Sequence, residues 1–229
     1  MSKIIEGVYI LDNPSGANTY ILIDHGVTLI DVGMRKNVPK IKKELEELGF
    51  SMKDIKTIII THAHHDHMQG LAEIVSLSSA KVMVGEEDAD VISGAKPMPL
   101  PKGAMGLVFR LLRPMMRFEP VPVDVRLKDG DIVDVLGGLK VVPLKGHTPG
   151  NIGLIYSSSR LMFSSDTVSN RKDRLQPPAL YKCNKEECDG AIERLSKLNM
   201  EIMLPGHGPP IRPDASGRVR TFLAELKRL

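Results

Sequence analysis

An α/β fold in a single domain is what this sequence predicts, and three observations predict it. Short β-branched runs alternate with stretches of 3-4 apolar spacing along the whole 229 residues, with no repeat and no linker long enough to separate domains. The composition, 42% hydrophobic and 26% charged, is that of an ordinary folded protein. The length suits one large domain or two small ones, and the unbroken interleaving favours one domain over 1–229.

Taken in order, 4–11, 19–24 and 27–32 read as strands, separated by the turn residues Asn13, Pro14, Ser15 and Gly16 and by His25 and Gly26. Val38, Ile41, Leu45 and Leu48 predict a helix over 37–48, stopped at Gly49. The β-branched run 57–61 is the signature of a strand covered on both faces. A short helix over 69–76 and a strand over 81–84 follow. Strands are expected at 126–135 and 139–145, joined through Gly137 and Gly138, then a hairpin of 152–156 and 161–163 around 157–160. Cys188, Ile192, Leu195 and Leu198 share one side of a helix over 185–198. A strand over 201–204, a Pro/Gly loop and a basic terminal helix complete the order.

Residues 94–120 break this texture. Five prolines and four methionines crowd the stretch, and between Val91 and Phe118 stand five basic residues and no acidic one. The segment reads as an insertion. Its apolar run 105–112 is expected to be covered, as a lid over a pocket, a homodimer contact or a contact with a membrane surface. A lid that shares in a homodimer contact is the favoured reading, because soft Met side chains suit a variable acyl group.

Several function classes are excluded by composition. A net charge of +3 and aromatics at 4%, with no Trp, offer neither a basic arm nor a stacking platform for nucleic acid. No run approaches the ~20 apolar residues of a membrane span. The two cysteines, Cys183 and Cys188, read as a reduced pair rather than a disulfide framework. Without a basic start followed by an apolar stretch, a cytoplasmic protein is expected.

The chemistry concentrates in the histidines. Four of seven, His62, His64, His65 and His67, fall within six residues, directly after the buried strand and interleaved with Asp66. The end of such a strand is where α/β sheets place their sites. In extended backbone, residues two apart point the same way, so His62 and His64 can aim into one pocket. Packing gives no reason for four clustered imidazoles, whereas a divalent metal does.

The pattern His62-x-His64-x-Asp66-His67 resembles the signature of the metallo-β-lactamase-fold hydrolases, in the glyoxalase II-like branch. Gly146-His147-Thr148-Pro149-Gly150, Phe163-Ser164-Ser165-Asp166, Pro205-Gly206-His207-Gly208 and, upstream, Asp31-Val32-Gly33 resemble the family's other motifs in order. The resemblance implies a four-layer αββα sandwich and two divalent metal ions, Zn²⁺ by default with Fe and Mn equally suited to the donors. It implies that His62, His64 and His147 hold one ion, Asp66, His67 and His207 the other, and that Asp166 bridges them. Asp66 is also the proton-shuttle candidate, and Asp31 is expected to orient a ligand or a loop. His25 and His65 are left outside the set, His25 facing solvent.

The implied reaction is hydrolysis of a small molecule, with hydroxide formed on the metal pair attacking an ester-like carbonyl. A thioester is the preferred substrate. Glutathione itself is disfavoured, because the chain runs only some twenty residues past His207. Lactonases of the family place Tyr where Ser169 stands. A mono-iron persulfide dioxygenase, using His62, His147 and Asp166, is the alternative from another reaction class, and a phosphodiesterase ranks below it. Two departures from the family are Ser165, where Gly is usual, and Lys145, where Pro is common.

Overall fold

Gly7 turns the chain where the sequence predicts one strand over 4–11. Its φ of +72° is open to a residue without Cβ and closes a two-residue hairpin between β1 (Ser2–Ile5) and β2 (Val8–Ile10), with Ile5 opposite Val8. The computed structural model describes residues 1–100, 103–112, 118–178 and 184–228. Of the residues singled out above, Pro101, Lys102, Arg113, Pro114, Met115, Met116, Arg117 and Cys183 lie outside these.

The described chain divides into two compact units, Met1–Leu127 and Lys128–Leu229. In the first, β3 (Tyr20–Ile23) and β4 (Val27–Ile30) continue the antiparallel meander, and α1 (Val38–Glu47) crosses over to β5 (Ile55–Ile60), parallel to β4. The run Ile58, Ile59 and Ile60 is fully buried, as a strand covered on both faces requires. A one-turn helix α2 (His65–Met68) then opens earlier than the predicted 69–76. It breaks at Gly70, whose amide donates to Gly33 O, and α3 (Leu71–Ser78) leads to β6 (Lys81–Gly85). After α4 (Ala89–Ile92) and α5 (Gly103–Leu112), β7 (Val125–Leu127) completes a seven-stranded sheet in sequence order. The apolar faces of α1 and α3 cover it through Val38, Ile41, Leu45, Leu71 and Ile74.

The predicted strand 126–135 is two strands of different sheets. A turn at Gly130, with the Lys128 amide donating to Asp131 Oδ2 at 2.8 Å, separates β7 from β8 (Ile132–Val133). In the second unit β8, β9 (Leu139–Pro143), β10 (Ile152–Tyr156), β11 (Leu161–Ser165) and a later strand form a five-stranded sheet, and 152–165 is the expected hairpin. A small hairpin that the sequence does not predict, β12 (Ser169–Arg171) with β13 (Arg174–Gln176), comes next. Asn184 caps α6 (Lys185–Ser196) by accepting from the Glu187 amide; β14 (Ile202–Pro205) joins β11 in parallel, and α7 (Ala215–Leu226) follows. Ile192, Leu195, Val219 and Phe222 carry the core of this unit. No helix among the described residues is long and apolar enough to cross a membrane.

The two faces of α1 set a stability contrast. Ile41→Ala empties a fully buried position and costs about 2–5 kcal/mol, whereas Lys43→Ala removes only an exposed ion pair to Glu47 and stays within about 0.5 kcal/mol of wild type. Urea unfolding followed by circular dichroism reads both.

Candidate metal centre

In the first unit the end of β5 delivers Thr61 and His62 side by side, and His64 stays extended (φ −113°, ψ 144°) before α2 carries Asp66 and His67. His62 Nε2 and His64 Nδ1 lie 3.0 Å apart, with the rings edge-on at 4.7 Å between centroids. Ligand atoms of His62 and His67, and of Asp66 and His67, also come within 4.8 Å of each other. His62 and His67 are fully buried, and Asp66 is half-buried.

A buried carboxylate organises this cluster. Asp31 Oδ1 accepts the Thr61 amide at 2.8 Å, and Asp31 Oδ2 accepts both the Thr61 hydroxyl at 2.8 Å and His67 Nδ1 at 2.8 Å. With its proton given to Asp31, Thr61 Oγ1 accepts from His62 Nδ1 at 3.2 Å. With these partners both imidazoles carry their proton on Nδ1 and leave Nε2 unprotonated, the tautomer that a ligand histidine needs.

The backbone of the turn is held as firmly. The amides of Val32 and Gly33 both donate to His67 O, at 2.9 and 3.0 Å, and the Ala17 amide donates to Asp66 O at 3.0 Å. Fully buried Asn37 fastens these two loops together: its Oδ1 accepts the Ser15 amide at 2.7 Å, and its Nδ2 donates to Ser15 O and Val32 O. Buried Asp88 accepts the amide of Ala63, between the two histidines, at 2.8 Å. Asn37 and Asp88 escape a reading of the sequence. Neither belongs to a motif, and a lone Asn or Asp near a helix start reads as a cap.

In the second unit Asp166 Oδ2 lies 3.3 Å from His147 Nε2 and 3.4 Å from His207 Nε2, so one carboxylate oxygen faces two imidazoles. Asp166 follows β11, His207 follows β14, and the pairing of those strands sets their separation. Ser165, at the position where the family usually has Gly, adopts φ +52° and is buried. Its hydroxyl donates to Asn151 Oδ1 at 2.6 Å, and its carbonyl accepts the Gly206 amide at 2.8 Å. Asn151 Nδ2 in turn donates to Leu144 O and to Thr167 Oγ1.

Two glycines are obligatory here. A Cβ on Gly146 (φ +131°) would stand 2.5 Å from the Cys188 amide nitrogen, and one on Gly208 (φ +88°) only 1.7 Å from Asn170 O. Asn170 also donates its amide to His207 O at 3.0 Å, steadying that loop.

Each unit thus gathers its own portion of the expected set: His62, His64, Asp66 and His67 with Asp31 in the first, His147, Asp166 and His207 in the second. His25 is fully exposed, and His65 is turned to Asp66 at 3.8 Å. Imidazole nitrogens with carboxylate oxygens, buried and pre-oriented by hydrogen bonds, form a donor set that fits Zn²⁺, Fe or Mn.

The model of the metallo-beta-lactamase superfamily matches residues 12–207. The probable metallo-hydrolase YflN of Bacillus subtilis (strain 168) is 27% identical, over 97% of this chain and 86% of its own length. A hydroxyacylglutathione hydrolase of Cereibacter sphaeroides (strain ATCC 17023) is 27% identical over 73% of this chain, which spans about half (52%) of that relative. Among solved structures, the metallo-beta-lactamase family protein TTHA1429 of Thermus thermophilus superimposes with a TM-score of 0.77 at 22% identity, covering 99% of this chain and 81% of that one. The last similarity establishes the fold.

Position 165 tests how the Asp166 loop is held. Ser165→Val adds the left-handed strain of a β-branched residue, about 1–3 kcal/mol, to the loss of a buried hydrogen bond, about 1–3 kcal/mol more. Ser165→Gly loses the bond but relieves the strain and remains within about 1–2 kcal/mol of wild type. Thermal unfolding of the pair should show that order.

Proposed function

The chain belongs to the metallo-beta-lactamase superfamily of metal-dependent hydrolases, and on that premise we propose that it cleaves a thioester. The observation that carries the metal-dependent part of the reading is the relay from Asp31 through Thr61 to His62 and directly to His67. Such a relay orients two imidazoles at one strand end for a metal and has no use in packing alone.

His62, His64 and His147 are assigned to one ion, Asp66, His67 and His207 to a second, and Asp166 to both. When bound, the ions supply Lewis acidity: they lower the pKa of water toward neutrality and polarise the carbonyl under attack. The chain's own residues do the rest. Asp31 fixes the tautomers of His62 and His67, and the amides of Ala17, Val32 and Gly33 hold the ligand turn against recoil. We read Asp66 as the proton shuttle as well as a ligand, a role for which ligation lowers its basicity. A thiolate is a good leaving group, so no strong general acid is required of the protein.

A thioester is favoured over its rivals on two grounds. Hydroxyacylglutathione hydrolases stand among the relatives with which the chain shares most of its length. A lactonase of this family would use a phenol where this chain has Ser169, whose backbone pairs with Gln176 in β13.

Elemental analysis of protein expressed with ample metal should find about two ions per chain. Zn-, Mn- and Fe-loaded protein assayed on thioesters, lactones, phosphodiesters and glutathione persulfide should turn over thioesters best. A single Fe with oxygen uptake on the persulfide would replace this reading by the dioxygenase. Asp166→Ala should abolish turnover, while His65→Ala leaves it largely intact at equal metal content.

Asp31→Asn should keep the fold and weaken metal affinity by about 10–100-fold, read by competition with a chelator. An unchanged affinity would remove Asp31 from its orienting role.

A further inference from the structure

The helix α5 is apolar in composition. Its sequence, GAMGLVFRLL, carries a single charge, Arg110, yet Leu107 and Leu111 are 65% and 74% exposed and Val108 is 44% exposed. Positions 107, 108 and 111 share one helical face, and Arg110, also exposed, borders it one turn on from Leu107. A helix that is hydrophobic all round is ordinarily buried, so this face is built to be covered.

Charge decides what covers it. Between Val91 and Phe118 the chain has Lys96, Lys102, Arg110, Arg113 and Arg117 and no carboxylate. The nearest acids on either side are engaged elsewhere. Asp90 takes Lys96 at 2.9 Å and Arg126 at 2.6 Å, which holds its carboxyl below the usual range, and Glu119 lies toward Arg35 at 3.9 Å. A second copy of the chain is therefore a poor occupant. A two-fold contact sets the same patch against itself, and here that would set Arg110 against its own copy in a segment whose sequence from Ile92 to Arg117 holds no carboxylate. An apolar face bordered by Arg110 is instead complementary to a layer that is apolar in depth and anionic at its surface.

We propose that α5 is a peripheral docking helix for an anionic lipid bilayer, with Leu107, Val108 and Leu111 entering the acyl boundary and Arg110 at the level of the headgroups. Long Arg side chains reach such a level while their stems stay against apolar surface. Phe118 and Glu119, in the same insertion and the same unit, line a cleft of about 300 Å³ with Arg35 and Gln69. Gln69 directly follows the ligand-bearing α2, so a docked α5 belongs to the same segment that walls this cleft. The inference departs from the lid and dimer contact expected from sequence, and it does not depend on which substrate the enzyme takes.

Co-sedimentation of the full chain with vesicles tests it. Vesicles of phosphatidylcholine with phosphatidylglycerol should retain the protein at least about tenfold better than phosphatidylcholine alone, with the advantage shrinking as salt rises. The double variant L107S/L111S, which keeps every charge, should lose about tenfold or more of that binding. R110E should lose roughly tenfold with the apolar face intact. Ile132→Ser, at an exposed apolar position of the second unit, should bind as wild type. All four residues are exposed, and circular dichroism verifies that the variants fold. Equal binding to neutral and anionic vesicles, no binding at all, or unchanged binding of L107S/L111S would overturn the proposal. So would a solution dimer that L107S/L111S converts to monomer, since the face would then belong to a second copy.

Discussion

The Asp31 carboxylate is the tie on which the first unit's half of the site depends. A buried charge at a strand end is costly, and here three donors offset the cost: the Thr61 amide, the Thr61 hydroxyl and the His67 ring. Each of them also does something else. The Thr61 amide ends β5 in register with β4, the hydroxyl turns His62, and the ring is itself a ligand candidate. Asp31 holds its place at φ +54°, a conformation that Asp tolerates better than most residues. The loop then returns through Val32 and Gly33 to grip His67 O. Gly33 allows no side chain, since a Cβ there would sit 2.1 Å from Asn37 Nδ2. Carboxylate, loop and ligand turn are thus one mutually constrained piece.

Much of this was legible in the sequence, because periodicity and clustering are local signals. The run 57–61, the 3-4 spacing of α1 and α6 and the four histidines after β5 each declare themselves within a dozen residues. What stayed illegible depends on partners distant in the chain. Asn37 acts on Ser15 and Val32, Asp88 on Ala63, and Asn170 on His207 and Pro209, and nothing in their own neighbourhoods marks them. The strand errors have this origin only in part. The breaks at Glu6-Gly7 and at Lys128-Asp129-Gly130-Asp131 carry polar turn signals that a single-strand reading passes over, and only the sheet each piece joins reveals that 126–135 serves two of them.

Left-handed backbone recurs where candidate ligands leave their strands, as it does in turns elsewhere in the chain. Asp31, Gly33, Ser165, Gly146 and Gly208 all have positive φ, and each lies beside a ligand candidate in the chain or in space. Sharp turns are needed because a strand alternates its side chains between faces, whereas a metal requires several donors from one strand end at one point. The strain is met by buried hydrogen bonds, at Ser165 by its own hydroxyl. There a glycine would give the backbone freedom and the serine gives a fixed partner, so the two residues solve one geometric problem by different means.

The choice between carboxylate and amide at these anchor positions follows from counting donors. Asp31 is met only by donors, and a carboxylate, which accepts at both oxygens, suits it. Asn151 must accept from the Ser165 hydroxyl while donating to Leu144 O and Thr167 Oγ1, and Asn37 must accept from the Ser15 amide while donating to two carbonyls. A carboxylate could not serve at either position. Charge points the same way. Asp66 and Asp166 already bring negative charge to the ligand sets, and neutral amides hold the surrounding loops without adding more buried charge that would need its own partner. Buried carboxylates thus stand at the ligands, at the Asp31 relay and at Asp88, which meets only the Ala63 amide donor, while asparagine takes the loop positions that must donate as well as accept.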